Sequence, residues 1–227
     1  MRLFSVILVS MLLLSTSVHA RSPGASDSLM DVPLSFWAYV DQVQSDWDIG
    51  GVNADTEVLH VGAGFAQHFS KRFHAGLFGG LSRVTQNNYA RTAGITQSGG
   101  YVGMIVRTYP VRSKKFDIDA GATLAYNMVD GDAAGRTVES SWLEGVAYLK
   151  GIVKLDAVRF SVGGQYQYID GTEKYNSATL SQNTDIKAQD DVSGTAGIDV
   201  LVDGGSIGLH GEWGARSTIS LQFARDF

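Results

Sequence analysis

Two pairs of closely spaced titratable residues are the first candidates for chemistry in this sequence. Asp117 and Asp119 are separated by one residue, and so are His210 and Glu212. This spacing places both members of a pair on one face of a β-strand. Paired acids, or a histidine beside an acid, are the groups that general acid–base catalysis uses. Titratable groups that share an inward face also form structural ion pairs, and we favour that interpretation.

A pair of histidines is the only metal-site candidate that the spacing suggests. His68 and His74 flank a short turn at residues 70–72 and would face each other across a hairpin. Directly opposed residues have Cβ atoms roughly 4.5–5.5 Å apart, close enough to share a metal ion. A third ligand from Asp117 or Asp119 would not lie on an adjacent strand. We therefore interpret the histidines as a polar rim, and we expect no metal, no cofactor and no catalytic site.

The composition narrows the function classes. The chain of 227 residues has a formal net charge of −5 and contains no cysteine. A negative balance argues against a nucleic-acid partner, which would require a basic surface. The lack of cysteine excludes disulfides and thiolate metal sites.

Alternation of apolar and polar residues with a period of two dominates the chain and predicts β-strands. We predict ten strands and no helix beyond the N-terminal segment. The short connections are residues 70–72, 110–114, 156–157 and 203–205, and the longer ones are 48–55, 87–94, 130–137 and 171–187. Short turns on one side and longer loops on the other are typical of transmembrane β-barrels. The ten strands cover residues 34–47, 56–69, 73–86, 95–109, 115–128, 138–155, 158–169, 188–202, 206–213 and 218–227.

The alternation also predicts which side chains face lipid and which face the barrel interior. Most strands carry one uninterrupted apolar face, for example Leu59, Val61 and Phe65 in the second strand. The first and fourth strands give no clear phase. Because a Lys or Arg facing lipid at mid-membrane costs roughly 2–4 kcal/mol, the charges should face inward. The predicted interior charge network comprises Asp117, Asp119, Glu144, Lys150, Lys154, Arg159, Asp199, His210 and Glu212.

Aromatic residues near the predicted strand ends indicate two girdles at the membrane interfaces. The girdle at the short-turn end would contain Phe36, Phe69, Phe73, Tyr109, Phe116 and Phe227, and the other would contain Trp47, Tyr126, Trp142, Tyr168 and Trp213.

The N-terminus has the pattern of a secretory signal. Arg2 precedes a short apolar run at residues 3–14, and small residues at Val18 and Ala20 mark a cleavage site. We therefore predict a cleaved signal peptide at residues 1–20, a periplasmic segment at 21–33 and a single barrel domain at 34–227. Cleavage would remove one charged residue, Arg2, and leave a net charge of −6.

The last ten residues alternate, with Ile219, Leu221, Phe223 and Phe227 on one face, and Arg225 is the one departure on that face. A strand of this kind that ends on phenylalanine resembles the C-terminal strand of small bacterial outer-membrane β-barrel proteins, a superfamily that includes porin-like and OmpA-type barrels. The resemblance implies an all-β fold, a single antiparallel transmembrane β-barrel of ten strands (eight being the alternative), located in the bacterial outer membrane. It also implies outer-membrane lipid and lipopolysaccharide as surroundings. The four apolar residues would be read by the barrel assembly machinery.

Two functions remain open at this point. The first is a non-enzymatic surface protein that contributes to envelope integrity or binds an external partner through its loops, above all residues 171–187. The second is a narrow pore for small polar solutes or ions. Proteolysis is disfavoured, because omptins, which are ten-stranded outer-membrane proteases, have their site at the outer rim. Asp117 and Asp119 follow a short turn and should lie at the opposite end.

Overall fold

The computed structural model describes residues 34–227, and the predicted signal peptide and the segment 21–33 lie outside the described residues. The described chain is built from antiparallel strands, and no helix within it is long and apolar enough to cross a membrane. The strands are β1 (Leu34–Ile49), β2 (Val52–His68), β3 (Phe73–Asn87), β4 (Thr96–Arg112), β5 (Phe116–Ala133), β6 (Arg136–Lys154), β7 (Val158–Asn176), β8 (Ser181–Ala188), β9 (Val192–Val202), β10 (Gly205–Gly214) and β11 (Arg216–Asp226).

Ten of the strands close into a ring. Each pairs with its neighbour in the order β1 to β7, then β9, β10 and β11, and β11 pairs with β1. The closing pair runs in register from Ser35 opposite Asp226 to Ser45 opposite Arg216. A closed ring leaves no strand edge unpaired, which a bilayer requires. The predicted ten-stranded barrel is therefore confirmed.

An eleventh strand stands where the sequence predicted a loop. Residues 171–187 are not an irregular loop, because β7 continues to Asn176 and β8 returns to pair with it. The far end of β8 pairs with β1 between Trp47 and Ile49. The prediction was wrong because outward residues here face water and are polar, so the alternation is weak.

Strands β1 to β8 thus form a closed eight-stranded ring beyond the ten-stranded one. We call this extension the collar. The collar consists of β8 and of the ends of β1–β7 that extend beyond the ten-stranded ring on the side where β8 lies. The short strands β9, β10 and β11 do not reach the collar. The barrel therefore has eight strands in the collar and ten strands below it.

The outward face of the ten-stranded ring is apolar. Leu81, Val162 and Ile219 are 70%, 63% and 70% exposed. In a stable barrel, apolar side chains are exposed to this extent only where they contact lipid. The predicted lipid-facing residues of β2, β3, β5, β6 and β7 lie on this face. The structure also settles the two strands whose phase was open, because Asp41 of β1 and Arg107 of β4 both line the interior.

The predicted aromatic girdles are only partly correct. Tyr126, Tyr168 and Trp213 are exposed on the outside, as expected of an interfacial belt. Trp47 and Trp142 instead point inward and are 2% and 1% exposed. At the other end, Tyr109 also lines the interior. The prediction failed because it used the distance from the strand end and not the phase of the alternation.

Candidate functional site: the barrel interior

The collar is filled by an apolar core. Trp47, on β1, meets Trp142, on β6, with ring centroids 5.0 Å apart and an interplanar angle of 65°. These strands are not neighbours in the ring, so the contact crosses the interior. Ile49, Val84 and Ile186 are completely or almost completely buried in the same cluster. A second cluster of Ile95, Val138 and Tyr175 continues the core, and together the two clusters occupy the interior at this end of the barrel.

One carboxyl group is buried within the collar. Glu173 is 1% exposed, and Gln86 Nε2 donates to one of its oxygens at 3.0 Å. The other oxygen is buried without a hydrogen-bond partner in the described part of the chain. Burial disfavours the charged form and raises the pKa of Glu173 above its usual range. Glu173 lies outside the membrane-level ring, where β7 pairs with β8.

Arg216 links opposite sides of the interior at the level of the ten-stranded ring. Its guanidinium donates to Glu212 at 2.6 Å and to Glu144 at 2.7 Å. Glu144 is on β6 and Arg216 is on β11, four positions apart around the ring. The arginine therefore bridges the lumen. Arg216 is absent from the predicted charge network because it lies between the predicted strands 206–213 and 218–227, in a connection at residues 214–217. Its position two residues before Thr218 nevertheless continues the inward phase of β11.

Other interior charges pair between adjacent strands. Arg107 holds Asp119 with two hydrogen bonds, at 2.9 and 2.5 Å. Lys154 lies 2.7 Å from Asp117, and His210 lies 3.1 Å from Asp199. A further pair, His60 and Asp41 at 3.0 Å, also lies in the interior.

Two predicted members of the charge network lie in the interior without an ion pair. Lys150 and Arg159 line the lumen, but neither is within 4.0 Å of a carboxylate in the described chain. Lys150 instead has its ammonium 4.9 Å from the centre of the Tyr148 ring. The other predicted members (Asp117, Asp119, Glu144, Lys154, Asp199, His210 and Glu212) each contact a partner of opposite charge or a histidine–acid partner.

Two cavities occupy the lumen below the collar. The smaller has a volume of about 260 Å³ and extends toward Val43 and Asn127. The larger has a volume of about 640 Å³ and reaches the short-turn end, where Arg112 and Asp226 line it. The two share lining residues, among them Lys150, and are therefore adjacent.

The histidine pair lies at the short-turn end with its rings stacked. His68 and His74 have centroids 3.8 Å apart and an interplanar angle of 4°. The lone pair of an imidazole nitrogen lies in the plane of its ring. Because the two planes are nearly parallel, the nitrogens of His68 and His74 do not point toward one metal position. Ser35 contacts both His68 and Asp226 at 2.5 Å. Ser35 thus lies between His68 and Asp226. In a nucleophilic triad the histidine lies between the serine and the acid instead. Among residues 34–227 no group of three or more histidine and acidic residues could hold a metal ion.

A closed ring of strands with an apolar exterior and a charged interior is the architecture of a bacterial outer-membrane β-barrel, and this chain has it. No protein-family model matches the sequence, and no curated protein matches it.

Several solved structures are similar to the chain. They include the translocator domain of the autotransporter NalP from Neisseria meningitidis, with 12% identity and a TM-score of 0.48 over 98% of this chain and 95% of that one. An outer-membrane channel from Pseudomonas putida F1 has 11% identity and a TM-score of 0.48 over 92% and 100%. The outer-membrane protease OmpT from Escherichia coli has 8% identity and a TM-score of 0.46 over 90% and 98%. These structural similarities do not assign a function to this chain.

Proposed function

We propose that this protein is a closed, non-enzymatic outer-membrane barrel that presents its collar to the outside of the cell. The observation that carries the proposal is the apolar core of the collar, in which Trp47 and Trp142 meet across the interior. A solute would have to pass through close-packed side chains, and interiors of this density exclude water.

The charge arrangement below the collar supports the same function. The bridge from Arg216 to Glu144 spans the lumen, and the remaining carboxylates are held by neighbouring strands. A selectivity filter would favour one sign of charge at the constriction, whereas both signs line this interior and most of the charges are paired. The interior charges therefore stabilise the barrel wall.

The collar is the surface offered to an external partner. Short turns face the periplasm in barrels of this class, so the collar would lie outside the cell. Exposed acidic residues outnumber exposed basic ones on it, so a partner would carry a basic surface. The exposed acids are Asp46, Asp48, Asp130, Asp132, Glu139, Asp170, Asp185 and Asp190, against Arg83, Lys174 and Lys187.

Lipid and assembly contacts complete the proposal. Arg83 is exposed two residues beyond Leu81 on the same outward face, where its guanidinium would pair with lipopolysaccharide phosphates. Arg91 is turned onto the collar, where it donates to Thr184 at 3.2 Å. The outward residues Ile219, Leu221 and Phe223 of β11, together with Phe227, would contact lipid and the assembly machinery.

A narrow pore is the second candidate, and the two adjacent cavities favour it. Proteoliposome swelling separates the two functions. Liposomes that contain the folded protein should swell no faster in an isotonic solution of a small sugar than liposomes without protein. Swelling that depends on the amount of folded protein would favour the pore.

A further inference from the structure

Lys150 is an anomaly in the interior because its positive charge has no carboxylate partner. The nearby acids are already occupied: Arg107 holds Asp119 with two hydrogen bonds, and Arg216 holds Glu212. A cation confined in a lumen without a counter-ion is costly, and a bound anion would remove that cost. We propose that the smaller cavity is a binding site for a small organic carboxylate, which Lys150 anchors.

A second donor without a partner lies beside Lys150. Gln165 is 7% exposed, and its Nε2 is buried without a hydrogen-bond acceptor in the described chain. Gln165 lies opposite Tyr148, whereas Lys150 lies opposite Gly163, so the two side chains are diagonal neighbours on β6 and β7. Diagonal neighbours on one face have separations of roughly 7–8 Å, which long side chains bridge. Both residues line the smaller cavity.

The backbone gives the lysine room to adopt this position. A Cβ atom at Gly163 would clash with the backbone of β6 at the Leu149 carbonyl oxygen and at Lys150 Cα, and it would also lie 2.9 Å from Lys150 Cγ, closer than such atoms approach in proteins. The glycine therefore lets the lysine stem lie across β7. The ammonium and the Gln165 amide can then each donate to one carboxylate oxygen.

The remaining walls favour an organic ligand over an inorganic anion. Trp37, Phe78, Ile105 and Val146 supply aromatic and aliphatic surface to the same cavity. Asp41, Glu144 and Glu212 also line it, but Asp41 is paired with His60, and both glutamates are paired with Arg216. Lys150 is therefore the cation of this lining that has no carboxylate partner among residues 34–227. Its volume of about 260 Å³ suits a molecule smaller than the drug-sized ligands that fill pockets of roughly 300–1,000 Å³. The larger cavity gives access from the short-turn end, where exposed Arg159 would attract anions. This site does not depend on whether the collar is closed.

Calorimetric titration of the folded protein in neutral-detergent micelles tests the site, with benzoate as the probe and benzamide as its uncharged analogue. Benzoate should bind the wild type, and benzamide at least about tenfold more weakly, the factor expected for a charged hydrogen bond. Lys150→Met should weaken benzoate binding by about tenfold or more, and Gln165→Leu by about threefold to tenfold. Lys150→Met is expected to fold, because it removes an unpaired charge and creates none.

Lys174→Met is the matched control, since Lys174 is exposed on the collar and should leave benzoate binding unchanged. The unfolding temperature gives a second readout. Without benzoate, Lys150→Met should unfold at the wild-type temperature or above it. Benzoate should raise the unfolding temperature of the wild type and of Lys174→Met, but not that of Lys150→Met. The proposal is overturned by the absence of benzoate binding to the wild type, by equal binding of benzamide, or by undiminished binding to Lys150→Met.

Discussion

Trp47 and Trp142 meet edge to face inside the collar, although one belongs to β1 and the other to β6. Side chains from non-adjacent strands of a ring can touch only across its interior. In the proposed closed barrel, this contact lies at the level where the ten-stranded ring gives way to eight strands. The reduction to eight strands makes this possible, because the interior of an eight-stranded barrel is narrow enough for side chains to fill.

Truncation of Trp142 should destabilise the collar strongly. Trp142→Ala should cost about 3–5 kcal/mol, because the ring is almost completely buried and its removal leaves a cavity. Unfolding of the detergent-solubilised protein, followed by tryptophan fluorescence, measures the effect. Trp213→Ala is the control, since Trp213 is 52% exposed and should cost far less. Equal losses in the two variants would show that the collar core is not packed as described.

Removal of the Arg216 bridge should also be costly. Arg216→Met leaves Glu144 and Glu212 without their partner. Breaking a fully buried pair costs roughly 3–5 kcal/mol, and the partial burial of these groups makes that figure an upper bound. Neutralising all three groups together (Arg216→Met, Glu144→Gln and Glu212→Gln) should restore most of the loss in thermal stability. If the single variant is as stable as the wild type, the lumen is wet enough to solvate both acids.

Much of this architecture could be predicted because a bilayer imposes a strict rule on sequence. Leu81, Val162 and Ile219 face lipid, and each alternates with residues that face the interior. The same rule places Asp119 and Lys150 inside. Where lipid contact ends, the rule no longer applies, so no alternation of apolar and polar residues indicated β8.

The partners inside the lumen could not be predicted for a different reason. Alternation gives the face of a residue but not its neighbours across the ring, so the bridge from Arg216 to Glu144 has no counterpart in the sequence pattern. Tryptophan is a residue type typical of membrane girdles. Only the position of Trp47 and Trp142 in the alternation of inward and outward residues shows that they belong to a core. Lys150 has the same pattern as paired Lys154, yet only the latter reaches a carboxylate.

The buried carboxyl of Glu173 predicts a pH-dependent stability difference. Because its pKa is raised in the folded state, its stabilising contribution is complete below the ordinary glutamate pKa of about 4.3 and is lost as the pH rises through the higher folded value. Glu173→Gln should therefore gain stability relative to the wild type as the pH is raised from 4 toward neutrality and above. Thermal unfolding across that range measures the difference. Glu139→Gln, at an exposed site, should show no such trend, and a flat difference for Glu173→Gln would contradict the prediction.

The orientation of the barrel can be tested with single cysteines, since the chain has none of its own. Ala178 lies in the exposed turn between β7 and β8, and Ala157 lies in an exposed turn at the opposite end. Ala178→Cys should react with a membrane-impermeant maleimide on intact cells. Ala157→Cys should react only after the outer membrane has been opened. The reverse pattern would place the collar in the periplasm.

Planar-bilayer recording of the wild-type protein tests closure of the barrel most directly. Insertion is first verified by the resistance of the barrel to added protease. The packed contact of Trp47 with Trp142 and the Arg216 bridge predict a current that stays at the baseline of the protein-free membrane at all moderate voltages. Discrete conductance steps from inserted wild-type protein would contradict the account and identify the barrel as a pore.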